Sequence, residues 1–281
     1  MSTPAMVYLE HLGVSSLSPR TAPFDPGYDP ATLEGHLEQS GHLMSILKLS
    51  MACWMIANET VSRRKLAAAR NHGVPTVAGG GPFEIAVVHG RLPDYLDLCA
   101  DMGFTRIEAG QGFTETTLDA HKVTAMAQER GLDVQFELGA KHGGAFTPAT
   151  VDGLIEQGRH WLEAGAVELV IEARESARGV GLFDGDGRLD TRLAERFAEE
   201  LGLERVVFEA PTKASQFTLL DHFGSSVRLC NIRLEELLRV EIYRRGLHSD
   251  AFSKEHLRPQ PPATNLDLSP RSTKAPWATR S

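Results

Sequence analysis

The fold class this 281-residue chain predicts is α/β, a (β/α)8 TIM barrel, and three observations predict it. Short runs rich in β-branched and aromatic residues alternate with helix-length amphipathic stretches, the order of parallel β-α units. The links between them are short and carry Gly, Pro, Asp or Asn where a helix should start or stop. Three runs, Asp133-Val-Gln-Phe-Glu-Leu-Gly139, Glu168-Leu-Val-Ile-Glu172 and Arg205-Val-Val-Phe-Glu209, reach a glutamate as the apolar residues stop. A carboxylate is rarely buried without a partner, so these are poor core residues and good site residues. At equivalent ends of successive parallel strands they converge on one face, where such barrels place their active sites.

The elements follow in order. Residues 1–30 are poorly patterned, because Pro19, Pro23, Pro26 and Pro30 break any long element, and a weak first strand falls at 21–24. Asp29 or Thr32 caps a helix to 37, and 44–50 is the second strand, with Lys48 near its end. A helix over 58–72 places Val61, Leu66 and Ala69 on one side, and Gly73 stops it. Strand 75–78 opens into Gly79-Gly-Gly-Pro82, and helices 83–89 and 92–102 follow. Strand 105–109 leads to helix 117–129, and strand 133–139 to helix 148–164, each helix closed by a glycine. Strand 168–174, helix 189–201, strand 205–211, helix 213–223, strand 227–232 and helix 234–245 bring the strand count to eight. Eight strands favour closure over an open sheet. Residues 1–252 are therefore read as one barrel domain, and the Pro-, Ser- and Thr-rich stretch 253–281 as an irregular tail, disordered or draped over the surface.

Composition narrows the function. A net charge of −8 argues against nucleic-acid or anionic-membrane partners, although a locally basic site can still take an anionic substrate. There is no basic region followed by an apolar run at the start and no membrane-length apolar stretch, so a soluble, cytoplasmic protein is expected. Cys53, Cys99 and Cys230 are odd in number and lack metal-ligand spacing; reduced thiols are expected, with Cys99 and Cys230 as packing residues.

The expected strand ends carry Lys48, the glycine run 79–81, Glu108, Glu137, Glu172 with Arg174, Glu209 and Asn231. Lys141, Glu175, Arg178 and Lys213 stand a few residues beyond. Several carboxylates at one mouth suit a hard divalent cation such as Mg2+, which keeps waters for a substrate. Interleaved lysine and arginine suit a substrate carboxylate or phosphate. A ring of salt bridges closing the mouth is the rival explanation, and a neutral polar ring would close it at lower desolvation cost. Gly80 and Gly81 could present backbone N–H groups to a phosphate, or simply make a tight turn. Glu84 reads as a favourable charge at a helix N-terminus. His72, His89 and His121 fall on helices away from the mouth, while His142 and His248 fall in loops on the mouth side. Asp184-Gly-Asp-Gly187 reads as a surface hairpin turn.

These segments resemble the phosphosulfolactate synthase family of coenzyme M biosynthesis, over about residues 43–252. The resemblance rests on Gly73-Val-Pro-Thr-Val-Ala-Gly-Gly-Gly-Pro-Phe-Glu84, Ile171-Glu-Ala-Arg-Glu-Ser176 with Gly179-Val-Gly-Leu-Phe-Asp184, and Phe208-Glu-Ala-Pro-Thr-Lys213 with Ser215 and Gln216. Asn231-Ile232 and Arg244-Arg-Gly-Leu247 with Asp250 complete it. The resemblance implies a barrel, Mg2+ dependence, a homo-oligomer, and addition of sulfite to phosphoenolpyruvate. Position at the mouth then assigns Glu137, Glu172 and Glu209 to the metal or its waters, and catalytic roles to Lys141, as the acid, with Lys48 and Glu137. Substrate contacts fall to Arg174, Lys213, Gly80, Gly81, Asn231, Arg178 and His248.

The chain also departs from the family pattern. An Asp-Lys-Gly run is expected where Asp25-Pro26-Gly27 stands, an Asp near Gln111, an Arg at His248 and a Gly at Ser249. Two alternatives follow: a related conjugate addition on a less charged substrate pair in a specialised biosynthetic pathway, or a non-catalytic stress-related barrel. If the sixth strand stays extended, Arg174 faces inward with Glu172, and Glu175 points away toward a loop, a neighbouring subunit or Arg178.

Overall fold

The computed structural model describes residues 3–114 and 116–260. Eight strands close into one parallel barrel in sequence order. They are β1 (Thr21–Asp25), β2 (Leu47–Leu49), β3 (Thr76–Ala78), β4 (Arg106–Gly110), β5 (Asp133–Leu138), β6 (Glu168–Ile171), β7 (Val206–Glu209) and β8 (Arg228–Arg233). Every neighbouring pair is parallel, including β1 with β8. Helices cover the outside of the sheet, and their caps are the side chains the sequence offers. Asp29, Asn58, Asp119, Thr147, Asp190 and Thr212 each accept backbone N–H bonds at a helix start. The unpatterned beginning does form one helix, Pro4–His11, capped by Thr3 and with no buried side chain.

Side chains alternate along each strand and so divide into two populations. Leu47, Leu49, Leu169, Ile171, Phe208 and Leu229 point outward into the large core shared with the helices. Trp161 of helix Pro148–Glu163 stacks on Phe136 there, with ring centroids 4.1 Å apart. Each such fully buried side chain contributes roughly 1.5–3 kcal/mol. Ala22, Ile46, Val77, Val170, Val207 and Cys230 form a separate, small apolar layer inside the barrel. Cys99 and Cys230 are buried. Beneath this layer Glu168 is held by Arg106 and by Arg228, the latter at 2.5 Å. The interior floor is thus ionic, and the charges are paired, as burial requires.

One irregularity matters for the site. Ala22 pairs with Cys230 but Pro23 pairs with Ile232, so Asn231 is an extra residue in β8. Its φ of 55° is left-handed. Such a bulge re-aims a side chain. Both Cys230 and Asn231 therefore face the interior, which strict alternation would forbid.

The chain remains packed past the expected domain boundary at 252: Leu257 is buried, and its carbonyl oxygen lies where a Cβ on Gly246 would stand. The rest of the expected tail, 261–281, lies outside the described residues. No described helix is long and apolar enough to cross a membrane. Asp184 accepts N–H bonds from Asp186 and Arg188, each at 2.9 Å, and Phe183 bridges Leu189, so this stretch is a hairpin turn.

Candidate active site

The strand C-termini open into a cavity of about 640 Å³. Lys48, Gly80, Gly81, Glu108, Glu137, Lys141, Glu172, Arg174, Glu209 and Asn231 all line it. Their contacts show how so much charge is accommodated. Lys48 Nζ lies 2.7 Å from Glu108 Oε1 and 3.5 Å from Asn231 Oδ1. Lys141 Nζ donates to Glu137 Oε1 at 2.8 Å and to Glu172 Oε2 at 2.9 Å, bridging β5 to the end of β6. Glu209 Oε2 accepts the N–H groups of Ala173 and Arg174 at 2.8 and 3.0 Å, and its other oxygen accepts from the Asn231 amide. The charges are paired, yet they line an open cavity rather than seal it.

The electrostatics follow from this pairing. Burial works against the charge on Lys48, but Glu108, then Glu209 and Glu137, outweigh it and raise its pKa. Lys141 is raised too, because Glu137 and Glu172 overcome its burial. Both lysines are therefore ammonium at neutral pH. Burial, with the nearby Glu108 carboxylate, pushes Glu137 up to about 8. Glu209 rises for the same reason, burial first and Glu172 next. Glu108 and Glu172 go the other way. Burial opposes it, yet Lys48 in one case and Lys141 in the other hold them below their ordinary values. Two carboxyl groups are thus lowered and two raised side by side, a separation typical of sites that move protons.

The loops are fastened by buried side chains. Glu84 accepts N–H bonds from Gly112, Phe113 and Thr114 at 3.0–3.1 Å, so it holds the loop after β4 rather than merely complementing a helix end. Gly79 donates to Leu49 O and Gly80 to Glu108 Oε1 at 3.0 Å, which commits both amides within the protein. A Cβ on Gly79 would sit 2.8 Å from Met51 N, so the close approach of the β2 and β3 loops requires glycine there. A Cβ on Gly181 would lie 2.0 Å from Glu172 O, so the 180–183 segment packs directly on the carbonyl of a site residue.

The alternation expected past the sixth strand does not hold. β6 ends at Ile171, and Arg174 adopts a left-handed φ of 56°. Once the chain leaves the extended conformation, neighbours no longer face opposite sides. Arg174 and Glu175 both line the cavity, and among the described residues no ion pair joins Glu175 to Arg178. Arg174 Nη1 donates to Lys141 O at 3.1 Å, which places the guanidinium beside the lysine's own backbone.

Three expected substrate contacts are not among the cavity-lining residues. Lys213 starts its helix half-exposed, 5.0 Å over the Phe217 ring and 3.8 Å from Asp250. His248 packs against Phe217 and accepts the Asp250 N–H at 3.1 Å, capping helix Ser249–Phe252. Arg178 is exposed in the loop beyond the site. Gln111 is tied to Gln157 at 2.8 Å and to Thr116 O. Two charged lining residues carry no role in the sequence analysis. Glu108 was visible at a strand end but had no evident partner. Arg233 lies just past the expected strand end at 232, although alternation from Asn231 puts it on the same face.

Residues 18–250 match the (2R)-phospho-3-sulfolactate synthase (ComA) family. The chain is 32% identical to phosphosulfolactate synthase of Methanocaldococcus jannaschii over 235 residues, covering 83% of this chain and 94% of that protein.

The chain belongs to the phosphosulfolactate synthase family of enzymes.

The phosphosulfolactate synthase of Methanothermobacter thermautotrophicus is 28% identical over 84% of this chain and 92% of its own length. Solved structures with the same barrel are more distant. The YdjI aldolase of Escherichia coli superposes with a TM-score of 0.52 at 12% identity, covering 89% of this chain and 95% of the aldolase. KGPDC of Streptococcus mutans gives 0.52 at 13% identity, covering 82% and 99%. These two share the fold and carry no argument about chemistry.

Proposed function

We propose that this family member adds sulfite to phosphoenolpyruvate and releases a phosphosulfolactate. The observation that carries the reading is Lys141, an ammonium held between Glu137 and Glu172 in a cavity that Lys48 and Arg174 also line. In the proposed reaction the sulfite sulfur attacks the terminal methylene carbon of phosphoenolpyruvate. The double-bond electrons move into the carboxylate, giving an aci-carboxylate. Collapse of that dianion takes a proton from Lys141 Nζ onto the adjacent carbon, and solvent returns the proton to the lysine. Lys48 and Arg174 bind the substrate's anionic groups, and Asn231 orients Lys48 and Glu209.

Mg2+ belongs to the same proposal. Among the described residues no three His, Cys, Asp or Glu side chains form a metal cage. Mg2+ does not need one, since it usually takes one or two carboxylates and completes its shell with water and substrate oxygens. The donor chemistry fits: the oxygens are hard and buried, and Glu137 and Glu209 are raised by burial first and by neighbouring carboxylates next, both of which a divalent cation would offset. Glu137, Glu172 and Glu209 would hold it, directly or through its waters. When bound it would supply Lewis-acid stabilisation of the substrate carboxylate. We further propose a homo-oligomer acting in the cytoplasm on small anionic substrates.

The test is direct. Purified protein is incubated with phosphoenolpyruvate, sulfite and Mg2+, and the products are read by mass spectrometry. A sulfonate with the mass of phosphosulfolactate is expected. Its absence from well-folded protein would sink the reading in favour of a less charged substrate pair.

A further inference from the structure

Pro26, where the resemblance leads one to expect a lysine, lines the cavity. A proline brings neither charge nor an N–H donor to that corner. The neighbouring strand does. Phe24 of β1 is in register with Arg233 at the end of β8, and Arg233 lines the same cavity. This arginine differs from the other cavity cations in how it is held. Lys48 and Lys141 are each within 2.9 Å of a buried carboxylate, and Arg174 donates to a backbone carbonyl. Arg233 has a side chain 55% exposed, with its ion pair to Glu235 stretched to 3.5 Å. Glu235 is also engaged by Tyr28, whose hydroxyl donates at 2.5 Å. The guanidinium is therefore charged, placed at the cavity edge and loosely committed. Its planar fork suits a tetrahedral oxyanion, and loops after strands seven and eight are the usual phosphate sites of this fold.

We propose that Arg233 anchors the substrate's phosphate group and supplies, from β8, the positive charge that β1 lacks at Pro26. Charge at this corner then comes from β8 and not from β1. The chain therefore still takes a fully anionic phosphorylated substrate. The proposal rests on the phosphoenolpyruvate reading for the identity of the ligand, but it can be tested by binding alone.

Calorimetry with inorganic phosphate and with phosphoenolpyruvate is carried out on the wild type, R233A, R233K, and the double variant R233A/P26K. Pyruvate tests whether the phosphate or the carboxylate is the group held. R233A should weaken phosphate and phosphoenolpyruvate binding by roughly tenfold or more, the scale of a hydrogen bond to a charged group. Pyruvate binding should change far less. R233K should recover part of the loss, and P26K in the R233A background should recover most of it, a rescue that a structural role would not give. R188A, at an exposed hairpin position outside the cavity lining, controls for net charge and should bind as wild type. Equal binding by wild type and R233A, or a wild type that binds neither phosphate nor phosphoenolpyruvate, overturns the proposal. If R233A loses binding while the wild type makes no sulfonate, the anchor stands and the sulfite chemistry falls.

Discussion

Lys48 and Glu108 sit on strands β2 and β4, two positions apart in the barrel, and meet at 2.7 Å across its interior. Glu108 in turn accepts from Gln135 at 2.8 Å and from the Gly80 N–H, so one carboxylate ties three strands and a loop. Replacing Glu108 by Gln keeps the shape but leaves a buried ammonium short of its main partner. Breaking such a pair costs about 3–5 kcal/mol. Because Glu209 and Glu137 still face Lys48, the expected loss is about 2–3 kcal/mol in urea unfolding. A midpoint unchanged from wild type would show that the pair does not support the fold.

Lys141 is assigned the proton donor, and its raised pKa keeps it charged at neutral pH. Lys141→Ala should lower kcat by about 10²–10⁴, the usual worth of a placed general acid. Substrate binding should change much less. Turnover within a few-fold of wild type would remove Lys141 from that role.

Glu137 predicts a pH dependence with a definite sign. Its folded pKa is raised to about 8, above that of the unfolded chain. The proton is bound more tightly in the folded state, so the stabilisation is full below the unfolded value and fades as pH rises toward 8. Stability of the wild type relative to Glu137→Gln should therefore fall between about pH 4.3 and pH 8. A difference that is flat across this window, followed by denaturant unfolding, would contradict the assignment.

Arg174 combines strain with proposed binding. A non-glycine residue at φ 56° is strained by roughly 1 kcal/mol relative to glycine. Arg174→Gly should raise the unfolding free energy by about 0.5–1 kcal/mol and weaken substrate binding together. Arg174→Lys should keep the strain and lose the planar fork, so affinity falls while stability stays near wild type. Because Glu175 also lines the cavity, Glu175→Gln should alter binding rather than assembly. Thermal melts paired with substrate titrations separate these outcomes.

Mg2+ should raise the melting temperature of the wild type in the absence of any substrate, because a cation bound to the folded state stabilises it by mass action. Glu172→Gln should lose most of that increase. A melting temperature indifferent to Mg2+ at millimolar concentration, with and without phosphoenolpyruvate, would remove the ion from the proposed site.

The sequence by itself determined the barrel and the identity of most cavity residues. Alternating β-branched runs and capped helices are local signals, and glutamates at the ends of Asp133–Leu138, Glu168–Ile171 and Val206–Glu209 need only strand direction to converge. Tertiary structure decided who pairs with whom. The contact between Lys48 and Glu108 joins residues 60 positions apart, and barrel closure sets it rather than any pattern in either segment. Tertiary structure also decided the two places where the chain leaves the extended state, Arg174 and Asn231. Strict alternation sends Glu175 outward, whereas the left-handed Arg174 brings it to the cavity, and the bulge in β8 turns both Cys230 and Asn231 inward. Lys213 and His248 illustrate the converse: a place just past a strand end, or in an expected mouth-side loop, did not bring them to the cavity lining, and both instead contact Phe217 and Asp250. Local periodicity fixes which face a residue starts from; long-range packing and backbone irregularities fix where its charge ends up.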